Sequence, residues 1–505
     1  MNGAQLPFDQ YVVWFLTGSI DLYGDDALRK VASQAQDIVD ALNRSSDVVI
    51  RVEARPVMKE TDQIRATVLA ANADPSVVGV IAWMHTFSPS KMWISALASL
   101  QKPLLHLATQ HNEAMPWANI NFDFLNLNQS AHGDREFAHG LSRSGAPSRT
   151  IVGHVNDPSV LARVGTWQRA AMAKQAAYGI RVARFGDNMR YVAVTEGDKV
   201  EATRVFGAQI NTWGVTELAA LTDSADPADV DRVLQEYDDS YIMVPELRAD
   251  GAHRESLRYA AQIEVALRQF LEAGGFSAFC TNFEDLGPMR QLPGLAVQRL
   301  QAEGYGFGPE GDWKTALLVR LAAIMGTGLP GGASIMEDYT YDLTPGAQLI
   351  LGSHMLEVSS CLTTTKPELQ LRPLSIGNRE DPPRLVFHAD PGPGVVASLT
   401  DSRDRFRFTA NAIEIVEPSQ PLPDIGVAHA IWKPKPDFET SVACWLAAGA
   451  CHHTCLTTQI GIDAFRALAE MLRIEFLAID DETTASRFAD AVRWNEAYFR
   501  LVRGF

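Results

Sequence analysis

Cysteine is scarce in this chain, five among 505 residues at positions 280, 361, 444, 451 and 455. That is too few and too uneven for the disulfide framework of a secreted scaffold, so reduced thiols are expected. Basic residues are also under-supplied. Lys and Arg number 44 against 61 Asp and Glu, a net charge of −17 at pH 7; without a tight basic cluster such a chain repels a phosphate backbone, and no nucleic-acid partner is expected. No run of about 18 apolar residues is present, so no membrane span is expected. The opening Met-Asn-Gly-Ala-Gln-Leu-Pro-Phe-Asp lacks the positive flank and apolar stretch of a signal peptide, and a cytoplasmic location follows as the expectation. Compositional bias is missing too: 46% hydrophobic, 21% charged, 36 Gly and 26 Pro exclude a disordered, collagen-like or low-complexity chain. At roughly 150 residues per domain, the length predicts about three domains.

Within that length, the first third alternates short apolar runs with helical periodicity. Runs at 11–16, 48–50, 77–83, 103–107 and 150–152 read as parallel strands buried on both faces. Between the first two, Leu28, Val31, Ala32, Ala35, Ile38, Val39 and Leu42 fall at helical spacing, with Asp25 and Asp26 at the positive end of the dipole. This predicts a doubly wound, Rossmann-like α/β domain over residues 1–180. A second α/β series, with strands expected at 180–185, 191–195, 240–244 and 276–281, predicts a central domain over 181–329. Runs at 349–358, 384–388, 395–400 and 405–416 then come close together, predicting a β-rich, antiparallel, barrel-like domain with terminal helices over 330–505.

Gly306-Phe307-Gly308-Pro309-Glu310-Gly311 fits G-x-G-x-x-G, but the preceding stretch reads as helix and Glu310 would set a negative charge beside the phosphates. Dinucleotide binding is therefore not expected. What remains is a carboxylate on a Gly-rich loop, followed by Asp312 as a helix N-cap.

Period-two alternation puts Glu337 on one face with Ile335, Tyr339 and Tyr341. A carboxylate among apolar neighbours must be protonated, paired or bound to a cation. With Pro345-Gly346 at the centre of a hairpin, Glu337 would lie opposite His354, a buried ion pair or half of a metal site. Cys451-His452-His453-Thr454-Cys455 admits a zinc reading, but no second Cys pair exists. One of these histidines joining Glu337, His354 and a carboxylate such as Glu310 is the better fit. Two carboxylates and two imidazoles suit Mn²⁺, or Co²⁺.

At these residues the chain resembles the L-arabinose isomerase family, from Val13 to Asn495. The stretches that carry the resemblance begin at Trp83 (Trp-Met-His-Thr-Phe-Ser-Pro), Asn126 (Asn-Leu-Asn-Gln-Ser-Ala-His-Gly), Phe185 (Phe-Gly-Asp-Asn-Met-Arg), Glu310 (Glu-Gly-Asp-Trp-Lys-Thr-Ala), Met336 (Met-Glu-Asp-Tyr-Thr-Tyr), Leu351 (Leu-Gly-Ser-His-Met-Leu-Glu-Val) and His452 (His-His-Thr). The resemblance implies two α/β domains, a β-rich C-terminal domain, Mn²⁺ held by Glu310, Glu337, His354 and His453, and a homohexamer built from trimers with active sites at subunit boundaries. It also implies conversion of L-arabinose to L-ribulose, and often D-galactose to D-tagatose, through a cis-enediol with Glu310 and Glu337 as acid and base. Leu22, Phe87, Gln129, His132, Met189 and Phe283 match positions that line the sugar pocket. One residue departs: the family usually carries Gln after Gly-Ser, and here Ile20 stands there. An altered sugar preference, an epimerase outcome and a silent sugar-binding relative are the readings this leaves beside the isomerase.

Overall fold

The computed structural model describes residues 8–374 and 378–503; the stretch 1–7, part of the segment read above for a targeting signal, lies outside them. Strands Val12–Gly18 (β1), Arg51–Ala54 (β2), Val77–Met84 (β3), Leu104–Ala108 (β4) and Ser148–Val152 (β5) pair in parallel in the order β2-β1-β3-β4-β5. β1 and β3 are buried along their whole length, which is why they read as unbroken apolar runs. The helix Gly24–Arg44 turns Val31, Ala35, Ile38, Val39 and Leu42 inward, with Asp25 and Asp26 in its first turn. This unit ends at Gln175 and a second begins at Ala176.

In the second unit, strands Arg181–Phe185 (β6), Gln209–Trp213 (β7), Ile242–Met243 (β8), Ala278–Cys280 (β9) and Gly306–Gly308 (β10) come first. Four of them form a parallel sheet, β10-β9-β6-β7. The strand expected at 191–195 is not one. Tyr191 takes a positive φ of 69°, and the Asn188 amide donates to the Thr195 carbonyl at 2.6 Å, closing the segment into a loop. The strand that does lie there, β7, escaped the sequence because it is a sheet edge carrying Gln209, Asn211 and Thr212, largely exposed.

The remaining strands are Ala333–Asp342 (β11), Leu349–Ser353 (β12), Glu368–Leu371 (β13), Pro383–Val386 (β14), Gly392–Ser402 (β15), Arg405–Ile415 (β16), His429–Pro434 (β17), His453–Thr457 (β18) and Glu475–Ile479 (β19). β15 pairs with both β18 and β16, so β15-β18-β11-β12-β17-β16 close into an antiparallel ring, and β19 adds to β16 in parallel. Closure leaves few free edges. The expected mixed α/β class with a barrel-like C-terminal part is what the chain adopts. Among the described residues, no helix is long and apolar enough to cross a membrane.

β11 is shared between two cores: Ile335 packs with Phe279, Val297 and Phe307, whereas Met336 packs with Ile350, Leu456 and Trp432. Helix Gly294–Ala302 fixes it from one side. The buried Gln301 amide donates to the Glu357 carbonyl at 2.6 Å and its oxygen accepts the Ile335 N–H at 2.9 Å. Gln298 does the same for Val358 and Leu385. Gln301→Leu strands two buried backbone groups, the Glu357 carbonyl and the Ile335 N–H, each at a cost of about 1–3 kcal/mol; denaturant unfolding should show a loss of about 2–6 kcal/mol.

Candidate active site

Glu310 leaves β10 in a tight turn. A Cβ on Gly308 would sit 1.9 Å from the Asp312 carbonyl and one on Gly306 2.1 Å from that of Ala316, so only glycine lets this strand lie against the following helix, Trp313–Gly326. Glu310 itself is held at φ 57°, a left-handed conformation that costs a non-glycine residue about 1–2 kcal/mol and that clusters at functional sites. The helix expected ahead of the G-x-G-x-x-G segment is there, Gly294–Ala302, while Gly306–Gly308, expected in a loop, pair with β9 as strand β10. The N-terminus of helix Trp313–Gly326 is already filled by Asp312, whose carboxylate accepts from Lys314 N at 3.2 Å and Thr315 N at 3.3 Å.

Glu337 lies on β11 opposite His453 of β18 on one side and Ser353 of β12 on the other. The expected pairing with His354 is off by one residue. Near the turn Tyr341 pairs with Ile350 and Asp342 with Leu349, in the expected register, and a bulge between Asp338 and Thr340 then shifts the ladder. Such an extra residue re-aims the strand. Tyr341 accordingly meets the Phe438 ring edge-on at 5.3 Å instead of sharing the Glu337 face. His354 falls in the turn after β12, buried beside Glu357.

The fold brings Glu310, His354 and His453 together, with one donor atom of each within 4.8 Å of the others. Each imidazole is aimed by a carboxylate on its far side: His354 Nδ1 lies 2.7 Å from Glu357 Oε2, and His453 Nδ1 lies 3.2 Å from Asp312 Oδ2. That leaves His453 Nε2 3.8 Å from Glu310 Oε2, buried and without a hydrogen-bond partner. An orphaned buried nitrogen next to a carboxylate and a second imidazole fits a divalent cation, and the oxygen-plus-imidazole donor set suits a borderline ion. Glu337 stands outside this tight group, yet its charge acts on His354. Burial raises the Glu337 carboxyl above its ordinary value, and the two histidines counter that only in part. Burial opposes a charge on His354, but the Glu357 carboxylate, its hydrogen bond and the charges of Glu337 and Glu310 hold it up at about 9. Around Asp312, Lys314 and His453 overcome burial and bring the carboxyl down to about 2.

The Cys-x-x-x-Cys zinc reading does not form. Cys451 lies with Asp312 and His453, without Cys455, and burial followed by the Asp312 charge raises its thiol. His452 sits edge-on to His453 at 4.4 Å, and burial lowers it to about 4.

Around the cluster, the Met189 N–H donates to the Glu310 carbonyl at 3.0 Å, and Phe283 lines a narrow cavity with Glu310, Glu357 and Thr281. A larger cavity of about 420 Å³ is lined by Tyr339, Ser353, Met355, Leu374 and Arg384; Ser353 and Met355 flank His354 in the chain, and Tyr339 lies two residues after Glu337.

The first unit carries its own polar patch. Strand order β2-β1-β3-β4-β5 places a crevice at the carboxyl ends of β1 and β3, where the order reverses and open α/β sheets bind ligands. Ile20 and Leu22 follow β1, with Leu22 80% exposed. Phe87 follows β3, its ring 4.9 Å from His132. Gln129 accepts from the Tyr23 hydroxyl at 3.2 Å, and its N–H donates to the His85 carbonyl at 3.0 Å.

Asp312 and Glu357 were not picked out from the sequence as site residues, although carboxylates two residues after Glu310 and three after His354 were visible there. Only the helix cap signalled one of them.

Family models match three consecutive stretches: the L-arabinose isomerase N-terminal domain over residues 7–179, the central domain over 181–328 and the C-terminal domain over 332–475. Among curated relatives, the L-arabinose isomerase of Arthrobacter sp. (strain FB24) is 59% identical, covering 100% of this chain and 98% of its own. That of Clavibacter sepedonicus is 58% identical, covering 100% of both. That of Mycolicibacterium smegmatis is 51% identical, covering 98% of this chain and 99% of its own.

Proposed function

Because the chain belongs to the L-arabinose isomerase family along its whole length, we propose that it is an isomerase interconverting L-arabinose and L-ribulose at the Glu310–His354–His453 cluster. The observation that supports this most directly is the unpartnered, buried His453 Nε2 facing Glu310. Glu310, Glu337, His354 and His453 are the residues that would hold a divalent ion, proposed as Mn²⁺ with Co²⁺ as a substitute. Bound there, it supplies Lewis-acid polarisation of the adjacent C1 and C2 oxygens of the sugar.

The protein's own groups move the protons. One glutamate carboxylate takes the C2 proton and returns it to C1; the other carries the O2 proton to O1. The atoms then balance from aldose to ketose through a cis-enediol. Burial of Glu337 favours its protonated form, which suits a group that must both accept and release a proton. From the family resemblance, Met189 and Phe283 are proposed as sugar contacts beside the cluster, and Leu22, Phe87, Gln129 and His132 as sugar-contacting residues of the first unit. D-Galactose turnover, a homohexamer of trimers and a cytoplasmic location belong to the same proposal and rest on the family resemblance.

The test is incubation of metal-stripped protein with L-arabinose or D-galactose, with and without Mn²⁺, and identification of products by NMR. Mn²⁺-dependent ketose supports the reading. An epimeric aldose, or no product with Mn²⁺ bound, would replace it.

Ile20 is the position where specificity is expected to shift. It stands between β1 and the turn Asp21–Tyr23 and cannot hydrogen-bond a hydroxyl. A restored hydrogen bond is worth about 0.5–1.5 kcal/mol, so Ile20→Gln should raise kcat/KM for L-arabinose by about 2- to 10-fold relative to other aldoses. Equal efficiencies on every aldose tested would remove this role.

A further inference from the structure

We propose that Lys314 and Asp312 form a buried positioning relay that fixes the orientation and tautomer of His453, and so sets the metal affinity of the cluster from behind it. This rests on the metal-site reading given above.

Lys314 is 1% exposed, an unusual place for an ammonium group unless it is paired. Its Nζ donates to the Glu196 carbonyl at 2.6 Å and to Asp312 Oδ1 at 3.1 Å. The same Asp312 carboxylate accepts from Lys314 N, Thr315 N and, at 2.8 Å on Oδ2, the Thr315 hydroxyl. Four donors from one helical turn thus converge on a carboxylate that is fully buried, leaving Oδ2 to face His453 Nδ1. An acceptor there requires Nδ1 to carry its proton, which leaves the Nε2 lone pair toward Glu310. Backbone geometry adds a second restraint, because the His453 N–H donates to Cys451 Sγ at 3.2 Å.

A helix cap alone needs neither a buried lysine nor a histidine on the second oxygen. Asn caps a helix as well as Asp does, but its amide can present N–H to Nδ1 and favour the other tautomer, as carboxylate-to-amide changes behind an imidazole do. Asp312→Asn therefore separates the two roles. Partners of this kind typically contribute 10- to 100-fold in metal affinity.

The experiment is Mn²⁺ titration of the full-length protein by electron paramagnetic resonance, with the visible absorption of the Co²⁺-loaded protein as the readout of ligand geometry. Asp312→Asn and Lys314→Met are expected to weaken Mn²⁺ binding by 10- to 100-fold and to alter the Co²⁺ bands. Adding Asp312→Asn to His453→Gln should cost less than threefold more than His453→Gln alone, because the relay acts through that ring. Unchanged affinity and Co²⁺ spectrum in Asp312→Asn, or a full additive loss in the double variant, would overturn the relay. Should Lys314→Met not fold, Thr315→Val removes one donor to Oδ2 and is expected to weaken binding in the same direction; no change there would count against the relay. If the wild-type protein binds no divalent ion, the metal-site reading itself falls, and the relay with it.

Discussion

Glu337→Gln should lower turnover of L-arabinose by about 10²- to 10⁴-fold, the range typical of losing a positioned acid or base, while weakening Mn²⁺ binding less than His453→Gln does. The split follows from geometry. His453, His354 and Glu310 offer donor atoms within 4.8 Å of one another, whereas Glu337 stands outside that group on the neighbouring strand, with its carboxyl shifted up by burial. Gln keeps the volume and one oxygen but cannot carry a proton. Glu310→Gln, by contrast, should lose both metal and turnover, because its carboxylate is part of the tight group. Ketose formation at saturating Mn²⁺, set beside a metal titration of each variant, measures the two effects separately. A Glu337→Gln protein within tenfold of the wild-type rate would remove Glu337 from the proton transfer.

The second large effect concerns pH. Stripped of metal, His354 holds its proton up to about 9. A raised value in the folded protein means that its contribution to stability is fully present below the unfolded value of about 6.5 and is lost as pH rises through about 9. A cation at Nε2 has to displace that proton. Mn²⁺ affinity should therefore tighten by up to about tenfold per pH unit from about 6.5 towards 9 and flatten above it. Over the same interval the metal-free protein loses stability, so the rise in Tm on adding Mn²⁺ should grow with pH. Scanning calorimetry with and without Mn²⁺ at several pH values checks the sign. Glu357→Gln weakens the main support of the imidazolium and should flatten the dependence while loosening the His354 ring. Affinity independent of pH between 6.5 and 9 would contradict the assignment of His354 as a ligand.

Local chemistry carried much of this protein into view. The buried strands β1 and β3 were legible because both their faces are covered, and the helix Gly24–Arg44 because its apolar stripe repeats at helical spacing. Asp312 was legible as a cap because an N-cap is decided within three residues. Glu310, Glu337, His354 and His453 could be named from residue type and motif order. Features that depend on partners distant in sequence are not legible in this way. β7 went unseen because its exposed edge carries polar side chains, and the hairpin register changed at a bulge that no periodicity announces, since one extra residue alters parity without altering composition.

Amino-acid order alone carries which donors exist, the α/β and antiparallel character of the segments, and membership of one family along the whole chain. Tertiary structure decided which donors meet. β18 brings His453 alongside Glu337 across 116 residues of chain, and Asp312 reaches His453 across 141; Gln301 clips both β11 and the His354 turn to one helix. These are long-range pairings. Their free energy comes from burying and satisfying polar groups that are far apart in sequence, and a residue's immediate neighbours carry no record of which partner satisfies it.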